Sequence, residues 1–401
     1  MRGTVVDATT TNTTTVKVIA GAHVVARDDN GAAITNVAVT DDKGVYSLVV
    51  PAPRDANGGI LPAKYTLRAD AAGYDTFPGG LRVALPIDVT TATGSPQVID
   101  NPTTKIGLYP LANSTGFGSI SGAVKVDHAG GVLVVAESTA GHASAIADKS
   151  GAYTIFNLPA ASYEVRGYAA GVNLNPAMAG VTASVETKGI DLLAGSGSLG
   201  SVNGTVSIVN APGGSTTSVV LAVESTFNDV LGRGEVPRGL RVGNVSGAFS
   251  IPDVPSGKYV VLAAFENDLL VRDPDTSIGN TATLHVTVAG APLDAGNFKI
   301  TEALAVVGPG AVQIEQAASP VTFVWQDDSS EDAYTLEVFD NFGTQVWTSP
   351  VPSVSGSGNV SMVYGGPALT SGNYYQFRAT SLHGGVPLTR TEDLLGVFIA
   401  Q

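Results

Sequence analysis

Paired aspartates are the residues of this sequence whose types and spacing best suit chemistry. Arg27–Gly31 reads RDDNG and Thr40–Gly44 reads TDDKG, and we expect the two segments to approach each other in one sheet. Calcium takes about six to eight oxygen ligands, several of them carboxylates on one loop. The candidate calcium ligands are therefore Asp28, Asp29, Asp41 and Asp42.

Hairpin turns are the alternative interpretation of these aspartates, and the one we prefer. No cluster has the D-x-D-x-D-G pattern with a distal Glu. Asp and Asn side chains commonly bond their own backbone in turns. The acidic stretches Val271–Ser277 and Trp325–Asp332 have the same two interpretations. Calcium apart, we expect no cofactor.

The remaining reactive residue types do not form a recognisable catalytic set. The five histidines are scattered, at His23, His128, His142, His285 and His383. None has a paired spacing such as H-E-x-x-H, so we expect packed or surface histidines. There is no cysteine, which excludes disulfides, thiol catalysis and cysteine-based zinc sites. Gly232–Gly239 (GRGEVPRG) is glycine-rich and basic, but we interpret it as a long hairpin insertion rather than a phosphate cradle. We therefore predict that the protein is not an enzyme.

Composition limits the classes of partner and compartment. The 401 residues carry a net charge of −14 and have no block of Lys and Arg, so we expect no nucleic-acid partner. The sequence contains no run of about 18 apolar residues, so we expect no membrane-spanning helix. Met1 is followed almost at once by a strand-like GTVVDA segment, without a signal peptide. We expect a secreted or cell-surface protein in a processed form that lacks its leader.

A short phrase occurs three times and indicates how the chain is organised. It reads TDDKGVYSLVVP at Thr40–Pro51, ADKSGAYTIFNLP at Ala147–Pro159 and GNVSGAFSIPDVP at Gly243–Pro255. In each copy a polar turn ends in Gly, which readily adopts a positive φ. Aromatic and apolar residues then alternate, which places them on one face of a strand. A proline closes each strand.

Further short strands surround each phrase, and together they predict β-sandwiches. Gly- and Pro-rich turns break them at intervals of about ten residues, as in sandwich domains. A period of roughly a hundred residues suits independent domains better than a solenoid. We expect an all-β chain of tandem β-sandwich domains arranged as an elongated rod. The predicted domains are residues 1–112, 118–195, 199–302 and 303–401.

The first three segments resemble the carboxypeptidase regulatory-like domain, a transthyretin-like sandwich. The first segment matches it best, and its matching residues are Thr40, Asp41, Gly44, Tyr46, Tyr65, Gly73 and Tyr74. The second segment keeps Asp148, Gly151, Tyr153, Pro159 and Tyr163, and the third keeps Gly247, Phe249, Pro255, Gly257 and Tyr259. The family's positions are structural, so the resemblance implies a fold and no active site.

A related family of pilin domains, the collagen-binding B-type domains, adds a Lys–Asn isopeptide cross-link promoted by a Glu. That Glu lies four residues after the tyrosine of the strand that follows the phrase. This chain has Ala69, Gly167 and Ala263 at those positions. We therefore predict no such cross-link.

The fourth segment resembles a fibronectin type III domain. Trp325 matches the core tryptophan of an early strand, and Leu369 and Tyr375 match the tyrosine corner. The resemblance implies a spacer or binding module without chemistry of its own.

Two functions remain open from the sequence. The first is an extracellular structural protein, a surface stalk or filament subunit that associates with itself or with another surface protein. Exposed edge strands offer strand addition as a route, with Met1–Ala8 as a candidate donor. The second is an adhesin or ancillary module that binds a protein or a glycan, although aromatic residues make up only 6% of the chain.

Overall fold

A computed structural model describes residues 1–11, 13–229, 231–263, 268–272, 283–328, 330–354 and 358–401. The described chain is nearly all β-structure, which confirms the expected fold class. Its short helices are 3₁₀ turns at Ala8–Thr10, Val89–Thr91, Pro102–Thr104, Ser114–Gly116 and Glu224–Thr226. Of the acidic stretch Val271–Ser277, all but the first two residues lie outside the described residues.

The first unit packs two sheets around one core. Its strands are β1 (Arg2–Asp7), β2 (His23–Arg27), β3 (Ala38–Val39), β4 (Val45–Ser47), β5 (Lys64–Asp70), β6 (Ile87–Asp88) and β7 (Ile106–Leu108). One sheet has the order β4-β1-β7 and the other β3-β2-β5-β6. Strand β1 pairs antiparallel with β4 and parallel with β7. The N-terminal strand therefore lies inside its own sheet.

The second unit repeats this plan. Its strands are β8 (Phe117–Lys125), β9 (Leu133–Ser138), β10 (Gly141–Ile146), β11 (Ala152–Pro159), β12 (Ala161–Tyr168), β13 (Ala177–Val181), β14 (Glu186–Thr187) and β15 (Leu192–Leu193). One sheet is β11-β8-β14, with β15 also paired to β8, and the other is β10-β9-β12-β13. Strands β14 and β15 run parallel to β8, as β7 does to β1.

The third unit has the same arrangement with one additional strand at the edge of one sheet. They are β16 (Gly200–Val209), β17 (Thr217–Val223), β18 (Arg241–Val245), β19 (Ala248–Val254), β20 (Gly257–Ala263), β21 (Leu270–Arg272), β22 (Leu284–Val288) and β23 (Pro292–Glu302). The sheets are β19-β16-β23-β21 and β18-β17-β20-β22, and β16 runs parallel to β23. The three units thus share one strand order, as their common phrase predicts.

The fourth unit has a different topology. Its strands are β24 (Val306–Gly308), β25 (Glu315–Ala317), β26 (Thr322–Gln326), β27 (Ala333–Asp340), β28 (Gln345–Pro352), β29 (Asn359–Val363), β30 (Tyr374–His383), β31 (Val386–Arg390) and β32 (Val397–Ala400). A sheet of order β24-β26-β29 faces one of order β25-β32-β30-β27-β28, with β31 paired to β30. Trp325 is fully buried between them. The family names suggested for the four units, and their exact boundaries, stay predictions.

The repeated phrase acts through its glycine and its aromatic residue. The Tyr46 hydroxyl donates to the Thr104 carbonyl at 2.6 Å, and the Tyr153 hydroxyl donates to the Ile190 carbonyl. Each bond ties the phrase to the segment just before a strand that runs parallel to the unit's first strand. In the third unit Phe249 has no hydroxyl and instead packs edge-on against Phe298.

The three turn glycines are not equivalent. Gly44 and Gly151 have φ of +70° and +85°, the left-handed region that we predicted. Gly247 does not adopt a positive φ, and Asn244, three residues earlier near the end of β18, takes that conformation instead (φ 56°). The prediction was therefore wrong for Gly247, because an asparagine, which tolerates this conformation, supplies the bend there.

Tyrosine hydroxyls also tie loops back to strands. Tyr163 donates to the Pro159 carbonyl at 3.0 Å, and Tyr259 donates to the Pro255 carbonyl at 2.8 Å. In the fourth unit the Tyr375 hydroxyl accepts from the Thr370 amide at 2.9 Å. This last bond has the geometry expected of the tyrosine corner.

Little space surrounds the positions where the pilin domains would carry their glutamate. Ala69 and Ala263 are fully buried. A Cβ on Gly167 would lie 2.4 Å from Cδ1 of Leu174. A larger acidic side chain would not fit without displacing its neighbours, and the absence of a cross-link stays a prediction.

Units that are not neighbours in the sequence also contact one another. Ala32 of the first unit forms a parallel bridge with Val236 of the third. Lys64 of the first unit donates to the Leu394 carbonyl of the fourth at 2.7 Å. In the rod that we expected, only sequence neighbours would touch, so these contacts depart from that arrangement. The physical reason is that the outer faces of several sheets are themselves apolar.

We predict that Gly151→Ala destabilises the protein by about 1–2 kcal/mol or more, because alanine resists a positive φ. The added Cβ would also lie 2.4 Å from the Val124 carbonyl oxygen. Gly247→Ala is the matched control: its Cβ meets open space, and we expect a change within about 0.5 kcal/mol. Denaturant unfolding measures both. Equal effects would contradict the role assigned to the left-handed turn.

Candidate functional site

The aspartates that we considered for calcium lie in two separate turns and bond to their own backbone. The Asp41 carboxylate accepts from the amides of Lys43 and Val45 at 2.9 and 2.8 Å. The Asp28 carboxylate accepts from the amides of Asn30 and Ala32, both at 3.0 Å. These are the bonds expected of aspartates in hairpin turns.

The other two aspartates add little to a metal site. Asp28 and Asp29 both lie near Arg241, at 3.5 and 3.9 Å, and Asp42 is exposed. The described residues contain no group of three or more His, Asp or Glu side chains arranged to hold a metal ion. Calcium binding by these residues stays a prediction.

The histidines lie in unrelated surroundings. The ring of His23 packs 5.1 Å from that of Phe156, and burial lowers the pKa of His23. His285 Nδ1 lies 2.7 Å from a carboxylate oxygen of Glu224. Neither arrangement places a nucleophile beside a base.

The most elaborate polar site lies where the four units meet, and its centre is Gly232–Gly239. We call this segment the hub. It belongs to the third unit, between β17 and β18. The segment is a hairpin insertion, as its sequence predicted, and its charged residues also bind residues of other units. They reach into each of the other units.

Glu235 of the hub binds two arginines of the first unit. Arg27 donates to one carboxylate oxygen, and Arg68 Nε donates to the other at 3.2 Å. Arg68 is 3% exposed, and it also pairs with Asp70 and donates to the Ser144 carbonyl of the second unit at 2.9 Å. Glu235 thus compensates guanidinium groups that would otherwise be buried at a cost of several kcal/mol.

Electrostatics at this point favour the ionised carboxylate. Burial alone would raise the pKa of Glu235, but the guanidinium groups of Arg27 and Arg68 outweigh it and lower that pKa to about 2. At neutral pH the carboxylate is therefore charged and holds both arginines.

Arg238 of the hub binds the second unit. Its guanidinium donates to the carbonyls of Gly130 at 2.6 Å and His128 at 3.1 Å, while its own carbonyl accepts from the Ala170 amide at 2.9 Å. A Cβ on Gly239 would lie 2.8 Å from that of Ala170, so the backbones approach closely.

Arg233 of the hub binds the fourth unit through Asp393. Asp393 lies 2.5 Å from Arg233 and 2.7 Å from Arg378. Burial opposes ionisation, but these arginines hold the pKa of Asp393 well below its usual range. Burial lowers the pKa of Arg378 to about 10.

Apolar contacts between units accompany these ion pairs. On β2, Val24 and Ala26 face the first unit's own core, whereas Val25 joins the core cluster of the third unit. On β9, Val134 faces its own core, and Leu133 joins the same shared cluster. A continuous apolar run is typical of a strand buried on both faces, and the segments AHVVAR and VLVVAES carried that signal.

A cavity of about 550 Å³ opens beside the hub. Its walls come from the first, third and fourth units, and they include Val83, Leu231, Phe298 and Phe339 together with Arg378. Pockets of roughly 300–1,000 Å³ hold small molecules in other proteins, often at domain junctions. Sequence reasoning missed this cavity because no single segment encloses it.

Comparisons with known proteins give no family assignment. No protein-family model and no curated protein matches the chain. Among solved structures, the chain is similar to the TIE protein of Bacillus anthracis, with 11% identity, a TM-score of 0.18, and coverage of 100% of this chain and 72% of that one. It is also similar to a streptococcal ancillary pilin (13% identity, TM-score 0.20, 75% and 99%). A third similar structure is the major pilin subunit of Bacillus cereus, with 9% identity, a TM-score of 0.18, and coverage of 75% of this chain and 99% of that one. Likeness at this level does not indicate a function.

We predict that Glu235→Gln destabilises the protein by about 3–5 kcal/mol, because it leaves the largely buried Arg27 without a carboxylate partner and leaves Arg68 with Asp70 alone. The matched control is Glu164→Gln. Glu164 pairs with Arg166 at 2.9 Å, but the two side chains are 40% and 29% exposed. We expect that control to cost less than about 1 kcal/mol. Denaturant unfolding measures both, and similar losses would contradict the central role of Glu235.

We predict that the Glu235 contribution is lost in acid. The pKa of Glu235 is about 2 when folded against 4.5 for an ordinary glutamate. A depressed pKa stabilises the fold above the unfolded value, and the stabilisation disappears as pH falls from about 4.5 towards 2. The loss amounts to roughly 3 kcal/mol. The measurement is the stability difference between the native protein and Glu235→Gln at pH 7 and at pH 3. An unchanged difference would refute this assignment.

Proposed function

We propose that the protein is an extracellular structural protein, a surface stalk or filament subunit. The observation that carries the proposal is the hub, which joins the third unit to the first and fourth units through ion pairs and to the second unit through hydrogen bonds from Arg238. Within the described ranges, by contrast, no metal-binding cluster of side chains is found. Interlocked units resist bending better than units joined by linkers alone, and a stalk or filament needs that property.

A location outside the cell goes with this proposal. The chain has no cysteine, and its net charge of −14 favours solubility. No helix in the described part of the chain has the length and apolar character that a membrane crossing requires.

Strand addition between two copies needs a free sheet edge, and β1 does not provide one. It is paired on both sides, with β4 and β7, and the Met1 amino group donates to the Leu48 carbonyl at 2.7 Å. We infer instead that β13 is the associating edge, because it ends its sheet and pairs only with β12 among the described strands. Met178 on β13 is 66% exposed. An exposed apolar edge can add a strand from a second copy.

The cavity beside the hub supports a second candidate, an adhesin or ancillary binding module. A filament subunit has no need for a ligand-sized cavity lined by arginines and aromatic rings. This function would leave the protein dispersed and would make the cavity, rather than a sheet edge, the place of contact.

We predict that the purified protein forms fibres with a regular axial repeat in electron microscopy and that Met178→Lys abolishes them. A lysine at an edge opposes strand addition. Val49→Lys is the control, since Val49 is 93% exposed and lies outside the strands. Light scattering at several concentrations gives an independent measure of association. Dispersed single particles at every concentration would reject the filament and favour the binding module.

A further inference from the structure

The cavity beside the hub has walls suited to an apolar body. Phe298 of β23 and Phe339 of β27 line it from the third and fourth units, and Val83 lines it from the first. Val261 and Leu231 complete the apolar part. Inorganic phosphate or a bare sugar would leave these surfaces unfilled, so the walls favour a ligand with a hydrocarbon portion.

The charges around the same cavity are mainly basic. Its charged lining residues are Arg233, Lys299, Arg378 and Arg390, with Asp229 and Glu337 as the acidic ones. Asp393 lies beyond the lining and binds Arg233 and Arg378. Burial raises the pKa of Glu337, although the nearby charges of Arg378 and Arg390 act to lower it. The described lining therefore holds four basic and two acidic residues, and Asp393 offsets part of this difference.

Two of the lining arginines have nitrogen atoms without an acceptor among the described residues. Among the described residues, Arg390 makes no ion pair, although its side chain lines the cavity. Nε of Arg378 is buried without a hydrogen-bond partner in the same described set. Buried donors normally find an acceptor. An anionic group beside Arg390 would supply one and would lie in the positive potential of Arg378.

We propose that this cavity binds an anionic amphiphile, a monocarboxylate on an apolar chain or ring. The carboxylate pairs with Arg390, and the hydrocarbon body lies against Phe298 and Phe339. The proposal is independent of filament formation, because it concerns a cavity within one chain and not the β13 edge.

Charge selectivity provides a sharp test. Calorimetric titration of the full chain with decanoate should show one site, and decyltrimethylammonium, with the same chain length, should bind at least tenfold more weakly. A protein with net charge −14 attracts cations in general, so preference for the anion reports the local arginines. Binding of both probes with equal affinity, or no decanoate binding at millimolar concentration, would overturn the proposal.

Variants test the residues. Arg390→Gln should weaken decanoate binding at least tenfold, because it removes the charge that pairs with the carboxylate, and Arg390→Lys should retain affinity to within about threefold, because it keeps that charge. Thr380→Phe should abolish binding by filling the cavity from β30. Arg54→Gln is the control, because Arg54 is exposed in the first unit and lies outside the cavity.

Unfolding midpoints show whether each variant is folded. If Arg390→Gln is unfolded, the decanoate affinities of Arg390→Lys and Thr380→Phe decide whether the cavity is the binding site. Unchanged affinity in folded Arg390→Gln, or in Thr380→Phe, would refute the assigned site.

Discussion

The pairing of Glu235 with Arg27 and Arg68 is the constraint on which the arrangement of the units depends. Arg68 is almost entirely buried, and a buried charge without a partner is expensive. The first unit supplies Asp70 to Arg68, but the partner of Arg27 and the second partner of Arg68 come from the third unit, so the docked hub completes the pairing. The ion pairs therefore select one arrangement of the units, whereas the apolar surfaces alone would tolerate several.

Burial of apolar surface between the units stabilises their association, and the ion pairs determine which arrangement forms. Val25 on β2 and Leu133 on β9 face away from the cores of their own units and pack in the cluster around the third unit. Each such side chain gains about 1.5–3 kcal/mol when it is fully removed from water. Charged groups gain little by comparison, since desolvation offsets most of the attraction between them. Burial thus holds the units together, and charge determines how they fit.

Close docking also creates the features that bear on function. The cavity exists only because walls from three units meet beside the hub, and Asp393 pairs with two of its arginines, Arg233 and Arg378. At the same time docking leaves the β13 edge of the second unit without a partner strand in the described chain. The proposed assembly at a sheet edge and the proposed binding in the cavity therefore involve separate parts of the molecule.

The amino-acid sequence by itself determined the sandwiches. Alternation around Tyr46, Tyr153 and Phe249 placed the core residues, because strand periodicity is a local property. The role of Asp41 in a hairpin turn could be predicted for the same reason, because it depends on neighbouring residues alone. Only the tertiary structure decided that Gly232–Gly239 contacts every other unit and that a cavity lies beside it. Arg27 and Glu235 are 208 residues apart. Nothing in the local pattern of either residue specifies its partner, because docking depends on the shapes of whole faces.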